Sequence, residues 1–218
     1  MRKIFQLLLA GGVIALIYVI YVQISTPIEF EQEMAQKEKA VIERIKDVRS
    51  AQRAFKSANA RFTADFDTLI NFVLNDSLTM QRKRVDEDDS VGMAEFKLLQ
   101  KKDKNLKNIE EFKVAVIDTV FAPRKLTVEQ VKALRYIPGT NSQTEFMIAA
   151  GIVTTESKVS IPVVEVKAPY ILFLDTVRYR QEIINKNDDL INNYNKYPGI
   201  KFGSMEGGNN EAGNWTGE

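Results

Sequence analysis

IFQLLLAGGVIALIYVIYVQI, residues Ile4–Ile24, runs without a charge and is followed at once by TPIEFEQEMAQKEKAVIERIKDVRSAQRAFKSANARF, residues Thr26–Phe62. The first stretch is apolar on every face. A helix of its 21 residues rises roughly 30 Å, the thickness of a bilayer's hydrocarbon core. A cleavable export signal has a shorter apolar centre and a small-residue cut site. Here the exit reads Ile24-Ser25-Thr26-Pro27. The stretch therefore reads as an uncleaved single-pass anchor, with lipid as the partner of Ile4–Ile24. Arg2 and Lys3 precede it, and Glu29, Glu31 and Glu33 follow. The positive-inside rule then keeps the N-terminus in the cytoplasm and exports the rest, into the periplasm of a bacterial host.

In the second stretch Met34, Val41, Val48, Phe55 and Phe62 recur every seven residues, widened by Ile42, Ile45, Ala51 and Ala58. Charges fill the opposite face, so this is an amphipathic helix. Thr26, Pro27 and Glu29 fit a capped helix start, which predicts a soluble helix with its own beginning; one continuous helix kinked at Pro27 is the competing reading. The mostly charged first third predicts a projecting stalk, and Val41–Phe62 a face packed on the body. The residues three places after each heptad apolar position are Lys37, Arg44, Ala51 and Ala58, a poor coiled-coil seam.

Further along, Phe66, Leu69, Ile70 and Val73 predict a short amphipathic helix capped by Thr63 or Asp65. Residues 76–92 turn from basic to acidic and read as a loop; 93–108 are Lys-rich with helical potential. Residues 112–122 alternate with β-branched side chains and read as a strand. Leu126–Ile137 reads as a helix with a capping box, Thr127 to Gln130. Residues 144–155 and 158–167 read as paired strands turning at Glu156-Ser157, with Pro162 at a strand start or an edge. Tyr170–Leu174 is a short apolar segment, Gln181–Tyr194 a final helix, and Pro198-Gly199 its end. From Ser204 the chain reads as a flexible polar tail in which Trp215 is incidental. The organisation is thus an anchor (1–25), a stalk and packing helix (26–62), an α+β body with a small antiparallel sheet (63–203) and a tail (204–218).

The chemistry is bounded by what is missing. The chain has 218 residues, no cysteine and no histidine. Disulfides, thiolate nucleophiles and every histidine-dependent mechanism are excluded. Setting Arg2 and Lys3 aside, 28 basic side chains face 29 acidic ones. No broad basic face follows, and nucleic acid is not an expected partner. Asp86, Asp88 and Ser90 alternate like calcium-loop ligands, but Gly92 is one place late and Lys97 stands where the bidentate acid belongs. Asp65 and Asp67 read as helix caps, and Asp188 and Asp189 point in different directions on a helix. Gly207-Gly208 reads as linker rather than a phosphate loop. No catalytic, cofactor-binding or metal residue is assigned and no cofactor is expected.

VIERIKDVRSAQRAFKSANARFTADFDTLINFV (41–73) resembles the pseudopilin pattern of a helix bearing "I..IRSA...Y" that ends in "G.YP" before the next helix. Ile45, Val48, Ala51, Phe55, Phe62 and Thr63 occupy the comparable places. The order of elements resembles type IV pilins and the pseudopilins of type II secretion, which implies a pilin-like α+β fold. The prepilin processing site and the glutamate within the apolar run are both missing. Over most of its length the chain is more similar to a group of single-pass envelope proteins of Bacteroidota, through TPIEFE (26–31), the block from DVRSAQRAF (47–55) to FDTLINFV (66–73), and YPGIKFGSMEGGNNEAGNW (197–215). That likeness implies an envelope location and no particular activity. The expectation is a membrane-anchored, non-enzymatic envelope protein that scaffolds or assembles with other envelope proteins. A pseudopilin-like subunit and a carboxylate-based envelope enzyme remain as alternatives.

Overall fold

The computed structural model describes residues 2–103, 105–122, 124–141 and 143–215. Its organising element is α1, Arg2–Asn59, a single helix of 58 residues. The separate start at Thr26 is corrected: Pro27 lies inside α1. Proline there removes one hydrogen bond, to the Gln23 carbonyl. The helix nevertheless continues on both sides, and Ser25 Oγ donates to the Tyr21 carbonyl at 2.7 Å beside the break. Residues 2–24 are exposed throughout, and α1 is long and apolar enough to cross a membrane.

Beyond Pro27 one stripe of α1 enters the core. Val41, Ile45, Val48 and Ala51 are each 0 % exposed. Phe30 and Met34 are buried too, so the expected stalk is corrected: the body begins within two turns of the apolar stretch. The charged first third still packs because its charges lie on the other face, and Phe30 meets the Tyr179 ring at 5.5 Å.

At its far end α1 turns into α2, Phe66–Asn75. Gln52, fully buried, clamps that turn. Its Nε2 donates to the Thr63 carbonyl at 2.7 Å, and its Oε1 accepts from the Thr63 N–H at 3.2 Å. Asp65 is the cap of α2, accepting from the N–H groups of Asp67 and Thr68. Phe72 then meets Phe55 edge-on at 5.1 Å.

Next comes an arm. Strand β1, Ser77–Lys83, pairs antiparallel with β2, Ile109–Ala115, and helix α3, Ser90–Lys102, lies between them in sequence. Ser77–Lys83 had read as loop, and the strand expected over 112–122 ends at Ala115; both expectations are corrected. Residues 116–120 form a helical turn, α4 (Val116–Val120), whose Val116 is fully buried. Helix α5, Val128–Lys132, carries the expected capping box, with Gln130 N–H to Thr127 Oγ1 at 3.3 Å and Thr127 N–H to Gln130 Oε1 at 2.9 Å; a 3-10 turn, Ala133–Arg135, extends it.

The second sheet has the order β3-β4-β5: Met147–Thr154, Ser160–Pro169 and Gly199–Gly203, all antiparallel. The β3–β4 hairpin turns where the sequence placed it. Pro162 pairs with Ile152, while β5 covers β4 only from Glu165 to Pro169. One side of β4 at Pro162 is therefore an edge, where a missing N–H costs no ladder bond. Val164, Val166 and Ala168 alternate inward, and Ile200 and Phe202 of β5 carry the sheet against α1. Strand β5 is additional to the strands expected from the sequence. Its Gly203 has φ +76°, and a Cβ there would lie 1.9 Å from the Val164 carbonyl oxygen, so only glycine fits.

Between β4 and β5 run α6 (Tyr170–Phe173), α7 (Arg180–Asp188) and a wide π turn, Asp189–Asn193. The helix expected over 181–194 is thus shorter and changes hydrogen bonding at Asp189. The architecture is α+β: a long N-terminal helix, two small antiparallel sheets and short helices around one core.

Candidate functional site

Two features stand out from the packed body: the arm, and a cavity bordered by the C-terminal segment. The arm is built by charge. Arg82 lies directly opposite Glu110 in the β1–β2 register, and their side chains pair at 2.9 Å; Arg84 reaches the same carboxylate at 3.4 Å. Gln81 donates to Glu111 at 2.9 Å, and the Arg82 guanidinium lies 5.6 Å from the Phe112 ring centre. Past the strands Asn108 closes both ways on Val85, accepting its N–H at 3.1 Å and donating to its carbonyl at 3.0 Å. Asp89 caps α3 by accepting the Gly92 N–H at 3.0 Å. Within the acidic run of residues 86–89, Asp89 is thus the helix cap, while Glu87 pairs with Lys83 at 2.8 Å.

What the arm presents is apolar and basic together. In α3 Phe96 is buried, while Val91, Leu98 and Leu99 are exposed beside Lys97, Lys101 and Lys102. Met80, Ile109 and Phe112 on the strands are exposed as well. The arm joins the body at its base, where Val116 N–H donates to the Asp76 carbonyl at 3.0 Å. Val91, Leu98 and Leu99 thus form an exposed apolar face on α3, flanked by lysines.

The second feature corrects the flexible tail. Residues 209–215 return along β5. Gly203 N–H donates to the Ala212 carbonyl at 2.9 Å, and Asn214 N–H to the Lys201 carbonyl at 3.1 Å. The Asn214 side chain bonds Lys201 N–H at 2.9 Å and the Gly199 carbonyl at 2.8 Å. Glu211 pairs with Arg53 at 3.1 Å and Lys56 at 3.3 Å on α1. Trp215 is not incidental: it is 8 % exposed and belongs to the core, with Arg49 5.3 Å and Lys46 5.7 Å from its ring centre. Its Nε1 is buried without a hydrogen-bond partner among the described residues. The physical reason is backbone pairing: a polar segment that completes a sheet edge does not need apolar side chains to be held.

Under Trp215 lies a cavity of about 210 Å³ whose lining includes Glu38, Tyr170, Lys196, Tyr197 and Asn214. The Tyr170 hydroxyl donates to Glu38, and burial together with that bond pushes its pKa well above the ordinary phenol value. Burial, aided by Glu165, pushes Tyr197 to about 12. Both phenols stay protonated at neutral pH. The lining brings one carboxylate, Glu38, among the described residues.

Several other acidic residues are held in structural pairs. Asp67 pairs with Arg135 at 2.8 Å. Hydrogen bonds from Thr68 hold the Asp65 carboxyl below its usual range. Buried Asp47 pairs with Arg124 at 2.8 Å, yet burial outweighs that cation and raises its pKa. Buried Glu165 lies between Lys167 at 2.6 Å and Lys201 at 3.3 Å. Asp189 accepts from Asn193 at 2.6 Å. Among the described residues no group of three or more acidic side chains is placed to hold a metal ion. The arm was missed in sequence because its charges pair across about thirty positions; the one available signal was basic 82–84 answered by acidic 110–111. Compared with protein families, curated proteins and solved structures, the chain matches none.

Proposed function

We propose that this protein is a membrane-anchored, non-enzymatic scaffold of the cell envelope that offers the β1–α3–β2 arm to a protein partner. The observation that carries the reading is α1 itself. One helix holds an exposed apolar length of membrane thickness at one end and a fully buried stripe at the other. Body and anchor are thereby one lever, and the arm is displayed at a fixed place above the bilayer. Arg2 and Lys3 before the span put the N-terminus in the cytoplasm and the body in the periplasm. Ion pairing of the glutamates after the span leaves this orientation unaffected, since acidic residues contribute little to it.

The arm can be excised without opening the body, because Asp76 and Val116 are already bonded at its base. In the full chain, residues 79–113 are replaced by two glycines, which keeps Leu78, packed against the core, and its cross-strand partner Val114. A photo-cross-linker at Leu98 of the parent is expected to give a discrete protein adduct in cells, and the excised variant to migrate free of that partner while melting like the parent. No adduct from Leu98, with unchanged migration on excision, refutes the scaffold reading. A pseudopilin-like subunit is the second reading, favoured by a long helix packed on an antiparallel sheet. It requires N-terminal processing, so an intact Met1 or Arg2 start in mass spectra of the membrane-extracted protein rules it out.

A further inference from the structure

Helix α7 lies across α1. Arg178, just before α7, pairs with Glu29; Tyr179 packs on Phe30; Lys186 reaches Glu31 at 3.5 Å. The anchor points on α1 differ by two residues, about 3 Å of rise, while the helical part of α7 up to Lys186, from Arg180, covers about 9 Å. So α7 crosses the axis of α1 at the level of residues 29–31. That level stands five to seven residues past Ile24, about 7–10 Å along the helix. The headgroup layer on one side of a bilayer is about 5–8 Å deep. α7 is therefore held at the outer edge of that layer.

Three acidic side chains at this level are paired. Glu29 has Arg178, Glu31 has Lys186, and Glu33 has Lys37 at 2.8 Å, which holds the Glu33 carboxyl below its usual range. The turn leading into α7 is rigid: the Asp175 carboxylate accepts the N–H groups of Val177 at 2.9 Å and Arg178 at 3.0 Å. At its tip Val177 is 93 % exposed, and Ile28 on α1 is exposed at the same end of the body. An apolar tip on a fixed turn, beside paired acidic residues and the exposed Arg178 and Arg180, fits a lipid surface with its apolar edge and its phosphates.

We propose that the 175–178 turn and the start of α7 seat on the headgroup layer of the bilayer that α1 crosses, with Val177 entering it. The proposal rests on Ile4–Ile24 spanning the membrane. It gives the body a second lipid contact beside Pro27, where α1 lacks one hydrogen bond, and so fixes the tilt of the body on its anchor.

The cysteine-free chain suits site-directed spin labelling. Val177→Cys, Ile14→Cys and Ser57→Cys are made singly in the full chain, labelled with a nitroxide and reconstituted into phosphatidylethanolamine–phosphatidylglycerol vesicles. Accessibility to oxygen and to a water-soluble nickel chelate is read at each. The label at 14 is expected to read as lipid and that at 57, exposed at the far end of α1, as water. The label at 177 is expected to show several-fold lower nickel accessibility than 57 and higher oxygen accessibility. Position 177 matching 57 while 14 reads as lipid overturns the seating alone. Position 14 reading as water overturns the span, and the seating with it.

Discussion

Truncating Trp215 tests the C-terminal closure directly. A buried tryptophan removes about 150–250 Å² from water, which at about 25 cal/mol per Å² is worth roughly 4–6 kcal/mol. The buried, unpartnered indole N–H offsets about 1–3 kcal/mol of that. Trp215→Ala should then cost about 2–4 kcal/mol, a fall in Tm of roughly 10 °C for a chain of this size. Trp215→Phe should cost less, because it keeps part of the buried area and deletes the unpaired donor. The Glu211 pairs with Arg53 and Lys56 sit at half-exposed partners and add about 0–1 kcal/mol. The assay is thermal melting followed by far-ultraviolet circular dichroism. Because Trp215 is the sole tryptophan, fluorescence gives a second readout: native emission shielded from iodide, moving to the red on unfolding. If Trp215→Ala melts with the parent, or the native indole is freely quenched, the closure does not hold and the segment after Ser204 is a tail.

Three further outcomes follow from the packing. Removing residues 1–25 should leave a folded monomer, and Val48→Asp in that background should unfold it, since the stripe of Val41, Ile45, Val48 and Phe55 contributes on the order of 6–10 kcal/mol gross, comparable to the net stability of a domain; a dimer that the substitution turns into a folded monomer, seen by sedimentation, would make the stripe an oligomer seam. Gln52→Leu should cost about 2–4 kcal/mol in urea unfolding by leaving the Thr63 N–H and carbonyl unpaired at the α1–α2 turn; an unchanged midpoint would show that the turn needs no clamp. Tyr197 has a folded pKa of about 12, raised above the ordinary phenol value near 10, so it ionises earlier in the unfolded chain and stability falls as pH rises between them. Tyr197→Phe should flatten that fall between about pH 10 and 12, and parallel stability curves for the two proteins would contradict it.

Some of this protein is written locally and can be read without a structure. The apolar run Ile4–Ile24, the stripe from Met34 to Phe55, the Asp65 cap, the Thr127–Gln130 box and the hairpin turning at Glu156-Ser157 each depend on residues within a few positions of one another. Their signals are periodicity, capping chemistry and turn composition, which the chain carries in its own order. Helix α1 was half-legible: its two faces were plain, but whether Pro27 begins or interrupts a helix turns on one hydrogen bond against the pull of helix on both sides.

The rest belongs to pairs far apart in the chain. Ser77–Lys83 is a strand because Glu110 and Glu111 face Arg82 and Gln81 across the ladder. Gly199–Gly203 is a strand because β4 offers it an edge, and residues 209–215 are held because β5 offers the next one. Trp215 is a core residue because those backbone bonds carry it to α1. Backbone N–H and C=O groups are the same in every residue, so a polar segment recruited through them leaves no mark in its own composition. Arg178 on Glu29 and Lys186 on Glu31, which hold α7 across α1, join residues some 150 positions apart and exist only once the chain has folded.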